Sequence, residues 1–475
     1  METSDRSRWG LDQCFFKQRS MRGLPYEAEA SFLMAYIQGE GRNQGTLFPV
    51  VLDDFVPADH VCRVIDAFVT RLVMSELGFE RTQAAETGRP GYDPRDLLKL
   101  YLYGYLNQIR SSRRLEAECR RNVELMWLLG RLYPDHKSIA EFRRVHREAV
   151  TAAGATLVRF AKSCGLIRGE WIAIDGSKFR AVASIDTVRE RVALQRYLDS
   201  LEKADKEQET KIDQSAVQAA LEKLKHNAEP EAGFMLVRQQ VLPAYNVQTA
   251  VDTEHALIVA HAVVLDASDI RCLRPMADAA KEALEADSFN VVADAGYSNG
   301  EQLAHCEAAG MIPYVPVMRT VNNQGDGTLF GRAAFRYEAE TDSYICPSSN
   351  RLLRKHTNHK DRYTMYKASA ADCGACSLKS RCTQAPRRGL ARHLHEEALN
   401  RMQERVTPEA MRLRRSTVEH PFATIKYRIF GHPRLLLRGL SGAKVEIGLA
   451  TMAYNLKRIT KVLGAAKMTD ALYQA

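Results

Sequence analysis

The sequence predicts an α/β protein: a mixed sheet with helices on its faces, preceded by an all-helical module. Three observations lead there. Helical periodicity dominates from Leu47 to about Gly165, short apolar runs of strand length alternate with helical stretches beyond it, and two of those runs end on an aspartate. In both cases glycine follows at once or after one small residue, as Ile174-Asp175-Gly176 and Ala293-Asp294-Ala-Gly296.

At 475 residues the chain exceeds one compact core, so two or three domains are expected. Apolar residues at 45% and charged residues at 26% exclude a fibrous or wholly disordered chain. The formal net charge of +9, with a pI near 9.0, favours a polyanionic partner. No apolar run approaches a membrane span and the N-terminus has no signal-peptide core, so a cytoplasmic protein without a membrane partner is expected. Ten cysteines in so long a chain are too few for a disulfide scaffold and are expected as thiols or metal ligands.

Taken in order, residues 1–45 read as an arm ending in a Gly-rich linker, with Met21 as an alternative start. Asp93 before Pro94 predicts a helix start, carried on by Leu97, Leu98, Tyr101, Leu102 and Tyr105. Ser111-Ser112 then turns into a second helix bearing Arg113 and Arg114. Ser138-Ile-Ala-Glu141 predicts a capping box opening a helix with Arg143 and Arg144, closed by Gly165. A helical module this rich in arginine could enter a DNA groove and grip phosphates, and a solvated helical surface is the plain alternative.

Trp171–Ile174 reads as a buried strand ending at Asp175, and the charged stretch that follows reads as a helical insertion, about 183–232. Tyr245–Val251 and Ala256–Val264 predict a hairpin; a helix over Leu273–Ala286, a strand over Phe289–Ala293, a helix over Gly300–Ala309 and a strand over Ile312–Val317 complete the sheet. The small residues after Asp175 and Asp294 would leave room for a ligand between two rigidly held carboxylates; for either Asp alone, ending a strand is the competing role. Glu419 is the third candidate. On one helix Arg415, Glu419 and Lys426 share a stripe, while Ser416 and Glu419 also have capping-box spacing, and Pro421 argues for a helix start near Glu419 or His420. Three oxygen ligands of this kind suit two Mg²⁺ or Mn²⁺ ions acting on a phosphodiester.

Cys373-Gly-Ala-Cys376, with Cys382 and upstream Cys346-Pro, supplies four thiols among basic residues, and a structural Zn²⁺ site is balanced there against free cysteines.

Ordered motifs extend this reading. Gly88-Arg-Pro-Gly-Tyr-Asp-Pro94, Tyr103-Gly-Tyr-Leu-Asn107, Arg113-Arg-Leu-Glu116, Asp135-His-Lys-Ser-Ile139, Ile174-Asp-Gly-Ser-Lys178, Ala293-Asp-Ala-Gly-Tyr297, Val418-Glu-His-Pro-Phe422 and Ala453-Tyr-Asn-Leu456 lie between about residues 45 and 463. Together they resemble the bacterial insertion-sequence transposases of the DDE superfamily, specifically the group numbered eleven-eighty-two. The resemblance implies a ribonuclease-H-like core with Asp175, Asp294 and Glu419 as its metal-binding carboxylates. It implies cutting at terminal inverted repeats and joining of 3′-hydroxyl ends to target DNA. In related families the glutamate lies in a Tyr-x2-Arg-x3-Glu-x6-Lys signature; Arg415, Glu419 and Lys426 fill the last three places, and Arg412 stands in the tyrosine place.

The expected organisation is therefore an arm, 1–45; a helical DNA-binding domain, 46–165; a catalytic domain, 166–463, with insertions at about 183–232 and 320–400; and a tail, 464–475. Arg113, Arg114, Arg143, Arg144, Lys178, Arg415 and Lys426 are the expected DNA contacts. Double-stranded DNA is the expected partner, with a homodimer on DNA in a bacterial, nucleoid-associated setting. The alternative is a DNA-binding regulator of transposase descent that no longer cuts.

Overall fold

The structure is a computed structural model that describes residues 51–80, 91–204, 231–317, 329–360 and 362–474, with scattered positions between 215 and 229. The expected arm and linker, the Gly88-Arg-Pro segment and parts of both insertions lie outside the described residues. Val51–Ala475 form one compact unit.

Its first layer is helical: α1 (Val61–Thr70), α2 (Pro94–Leu106), α3 (Ser112–Cys119), α4 (Val123–Leu128), α5 (His136–Val145) and α6 (Arg147–Ser163). Asp93 caps α2 as expected, its carboxylate accepting the Arg95 N–H at 2.8 Å with Pro94 in the first turn. The expected capping box at Ser138 is not the start of α5. Asp135 caps that helix instead, accepting from Lys137 and Ser138 N–H at 2.9 and 3.1 Å, because its carboxylate can take both orphan donors. The single helix expected up to Gly165 is broken at His146, whose backbone leaves the helical region between α5 and α6.

The second layer is one mixed sheet. Its strands are β1 (Trp171–Arg180), β2 (Gly233–Val237), β3 (Gln240–Asp252), β4 (Ile258–Val264), β5 (Phe289–Val292) and β6 (Met311–Tyr314). β1 is central, antiparallel to β3 and parallel to β5; β3 shares its far edge between β2 and β4, and β6 pairs parallel with β5. This is the mixed sheet of the expected ribonuclease-H-like core. α7 (Ile185–Ala204) leaves from β1 where a helical insertion was expected; α8 (Leu273–Leu284) and α9 (Gly300–Ala308) make the crossovers.

From the end of β6 the chain builds a separate antiparallel sheet: β7 (Arg336–Glu338), β8 (Ser343–Ile345), β9 (Arg351–Asn358), β10 (Tyr363–Lys367) and β11 (Gly389–His393), with the short α10 (Ala370–Gly374) between the last two. Three helices return to the core: α11 (Glu396–Arg405), α12 (Pro408–Ala423) and α13 (Gly439–Leu463). Residues expected as a tail instead form α14 (Ala465–Gln474), which buries Met468 and Leu472 and packs on α1. The helical period of Met468 and Leu472 is what the tail reading overlooked.

α13 is buried along most of its length and touches α2, α6 and β4, so one helix joins both layers. An ion pair locks it. Arg110 donates to Glu446 at 2.6 Å and to the carbonyls of Phe430 and Arg434, both at 3.1 Å; Glu446 also accepts the N–H groups of Leu436 and Leu437. Glu446 is fully buried, and burial raises its carboxyl pKa while Arg110 opposes the rise. Removing one partner strands a buried charge. Glu446→Ala is expected to lower stability by about 3–5 kcal/mol, and Arg110→Met with Glu446→Leu to recover most of it, as measured by urea unfolding.

Candidate active site

Parallel pairing of β1 and β5 matches Ala173 with Val292. Two residues further along each strand stand Asp175 and Asp294. The period of two returns both to the same face, at the same level of the sheet. Asp175 does not end its strand as expected. β1 continues to Arg180 because β3 keeps pairing beside it, Asp175 opposite Thr249. Asp294 does lie just past its strand, folded back so that its Oδ1 accepts the Gly296 N–H at 2.8 Å. A Cβ on Gly296 would come within 2.9 Å of that oxygen.

One cation joins them. Arg414 Nη2, from α12, donates to Asp175 Oδ1 at 2.6 Å and to Asp294 Oδ2 at 3.0 Å. Burial raises the Asp175 carboxyl to about 6; Arg414 and the Gly176 N–H oppose that rise, and the charges of Asp294 and Asp269 add to it. Next along the same face, Ser177 accepts from Lys426, whose ammonium lies 5.3 Å from the Phe179 ring centre. Burial lowers the Lys426 pKa.

The opposite face of β1 is structural. A Cβ on Gly176 would meet Gln248 Nε2 at 2.2 Å and Asp269 Oδ1 at 2.7 Å, so this glycine makes room for that network rather than for a ligand, as had been expected. Asp269 accepts from Lys178, Asn246 and Gln248 at 3.0, 2.7 and 2.7 Å, and Gln248 accepts from Tyr297. Lys178, expected to touch DNA, is thus spent on Asp269, on the face away from Asp175.

Glu419 stands exposed on α12. The helix does not begin near it. Thr407 caps α12, accepting from Ala410 N–H, Pro408 takes the first turn, and the helix runs through Pro421 into a π-helical turn, Thr424–Ile429. Cap and N1 proline outweigh Pro421, which the helix carries in its interior. Ser416 is accordingly inside the helix, bonded to the Leu413 carbonyl, and the capping-box role for Glu419 falls away.

Of the other expected DNA contacts, Arg113, Arg114, Arg144 and Arg415 are exposed, with Arg144 paired to Glu141. Arg143 is 5% exposed; it donates to the Arg110 carbonyl and lies over the Tyr101 ring, so it serves the core instead. Arg414 was not singled out from sequence. Its signal was position: four residues before Val418 and eight before Phe422, it is a cation on the buried stripe, which calls for a buried carboxylate.

Residues 50–145 match the family described as Transposase domain (DUF772), and residues 238–456 match Transposase DDE domain; together the two span about two thirds of the chain. The chain belongs to the DDE transposases. The DDE match includes Asp294 and Glu419, and the sheet register brings Asp175, which lies before it, alongside Asp294. A DDE transposase acts on DNA and, as a rule, with divalent metal ions. No curated protein matches the chain. Among solved structures, the piggyBac transposase synaptic complex with hairpin DNA aligns with 87% of this transposase and 79% of its own chain at 9% identity, with a TM-score of 0.37, too low to define a shared fold. Among the described residues, no helix of the transposase is long and apolar enough to cross a membrane.

The raised Asp175 carboxyl gives a direct check in the metal-free protein. Carboxyl carbon NMR should show Asp175 titrating near 6, protonated below and ionised above. Arg414→Met removes the charge that opposes the rise, so the midpoint should move higher; a midpoint near 4 in both proteins would refute the assignment.

Proposed function

We propose that this transposase uses Asp175, Asp294 and Glu419 to hold two Mg²⁺ or Mn²⁺ ions, cuts DNA at the terminal inverted repeats of its element, and joins the 3′-hydroxyl ends to target DNA. The observation that carries the reading is the pairing of Asp175 and Asp294 at one level of the sheet, already sharing a cation through Arg414. The donors fit the ions: all-oxygen carboxylates on rigid backbone suit hard divalent cations that retain waters and phosphate ligands. Ions held there supply activation of a water or 3′-hydroxyl and stabilisation of the leaving oxygen.

The chain's own groups do the rest. Arg414 bridges the two carboxylates and neutralises one charge, a place that a divalent ion binding both aspartates would take over. Asp175 must be ionised to accept a metal, so protons compete with the ion and metal affinity weakens as pH falls toward the raised carboxyl pKa of about 6. Lys426 and exposed Arg415 flank Glu419 along the chain and are proposed to hold the DNA end by phosphate, with Arg113, Arg114 and Arg144 gripping the duplex backbone. Joining two ends in one reaction calls for two active sites, hence a homodimer on DNA. The regulator reading is not favoured, since the sequence keeps all three carboxylates and the chain belongs to the DDE transposases.

The test uses DNA carrying the element's own flanking repeats with Mg²⁺ or Mn²⁺. Asp175→Asn, Asp294→Asn and Glu419→Gln should each reduce cleavage and joining by about 10²–10³-fold or more, while thermal unfolding and DNA binding persist. Joined products at the wild-type rate from any one variant would remove that residue from the triad; cleavage without joined products would make the protein a nuclease only.

A further inference from the structure

The five-stranded sheet has a very small core of its own: Phe335, Tyr344, Leu352, Tyr366, Ala368 and Leu390. Burial on this scale rarely holds a sheet by itself, and small modules commonly add a metal or disulfides. Beside that core, Cys346, Cys373, Cys376 and Cys382 line one cavity of about 20 Å³, room for roughly one water-sized occupant. The four thiols come from three places: the turn after β8, α10 with the residues beyond it, and the short turn before β11. None is disulfide-bonded.

We propose that these four cysteines bind one structural zinc ion that fastens the inserted sheet. The local backbone is built around the sulfurs. After Cys346 the chain doubles back through Ser349 at φ +60, with the Cys346 N–H donating to the Asn350 carbonyl and the Asn350 N–H donating to Cys346 Sγ at 3.3 Å. The Leu378 N–H likewise points at Cys376 Sγ, and Ser348 Oγ lies 3.1 Å from the same sulfur, linking the two turns. N–H groups aimed at sulfur fix thiolates in orientation and spread their charge. Four thiolates on Zn²⁺ leave a net charge of −2, and the cavity wall supplies Arg388 and Lys379. Arg388 is buried and also donates to the carbonyls of Cys382 and Phe330, so it ties the cysteine turn to the segment before β7.

Another donor group is more tightly drawn. His60, Cys62 and Glu124 have donor atoms within 4.8 Å of one another. Hydrogen bonding accounts for it: the His60 ring accepts the Cys62 N–H at the start of α1, Tyr103 donates to Glu124 at 2.7 Å, and burial pushes the Cys62 thiol up to about 12. The four thiols ring their cavity more loosely than that trio, and zinc at about 2.3 Å from each would draw them in, releasing their protons.

The test is elemental analysis of the full-length protein, expressed with added zinc and purified without chelator under reducing conditions. About one zinc per chain is expected. Cys373→Ser with Cys376→Ser should lose it, and Cys62→Ser should keep it. Because the double variant can misfold, cobalt exchanged into the wild-type protein provides a second measurement, expected to give the visible bands and sulfur-to-cobalt charge transfer of a tetrahedral thiolate site. The proposal is overturned by wild-type protein that neither carries nor takes up zinc, by zinc retained in the double variant, or by cobalt bound without sulfur charge transfer.

Discussion

The register of β1 is the constraint on which the rest of this transposase hangs. β1 is paired on both sides, antiparallel to β3 over its whole useful length and parallel to β5 over its first residues. Slipping either ladder by one residue would send Asp175 to the far face and bring Gly176 or Lys178 to the active one. The register is held by more than backbone bonds. Gly176 has no Cβ to exclude Gln248 and Asp269, and Phe179 is buried against Phe422 and Phe430. The strand therefore presents carboxylate, hydroxyl and ring on one face and a packed polar network on the other.

Charge is managed at two depths. Arg110 and Glu446 are both buried and hydrogen-bond to each other and to four backbone groups, so the pair acts as a fastening between the helical layer and the C-terminal helices. Arg414, Asp175 and Asp294 lie nearer the surface, with two acids to one base and one guanidinium nitrogen unpartnered. The first group is arranged to stay as it is; the second has an unbalanced charge that another cation can take up.

α13 packs on the β3–β4 side of the sheet as α12 packs on β1 and β5. Asn455 closes both polar groups of Ile258 at the start of β4, and Tyr454 donates to the Ala256 carbonyl while its oxygen also meets His420 of α12. The Ala453-Tyr-Asn-Leu456 motif is thus a clasp on the β3–β4 hairpin, and through it the position of α12 relative to the sheet is tied to the position of the hairpin.

Local chemistry in the sequence determined the cap at Asp93, the hairpin at β3–β4, the alternation of α8, β5, α9 and β6, and the two aspartates as a pair, because each rests on propensity or period within a few residues. Tertiary structure decided what depends on partners distant in sequence. Asp175 lies mid-strand because β3 keeps pairing beside it; Gly176 serves a buried network because Asp269 and Gln248 fold beneath it; Lys178 and Arg143, exposed to judge by composition, are spent inside. Arg414 drew no notice beside Arg415, since only the folded chain brings it to two carboxylates 239 and 120 residues away. The sequence named the acids; the fold chose which cation stands between them, because a charge buried at that depth must find its partner in space and not along the chain.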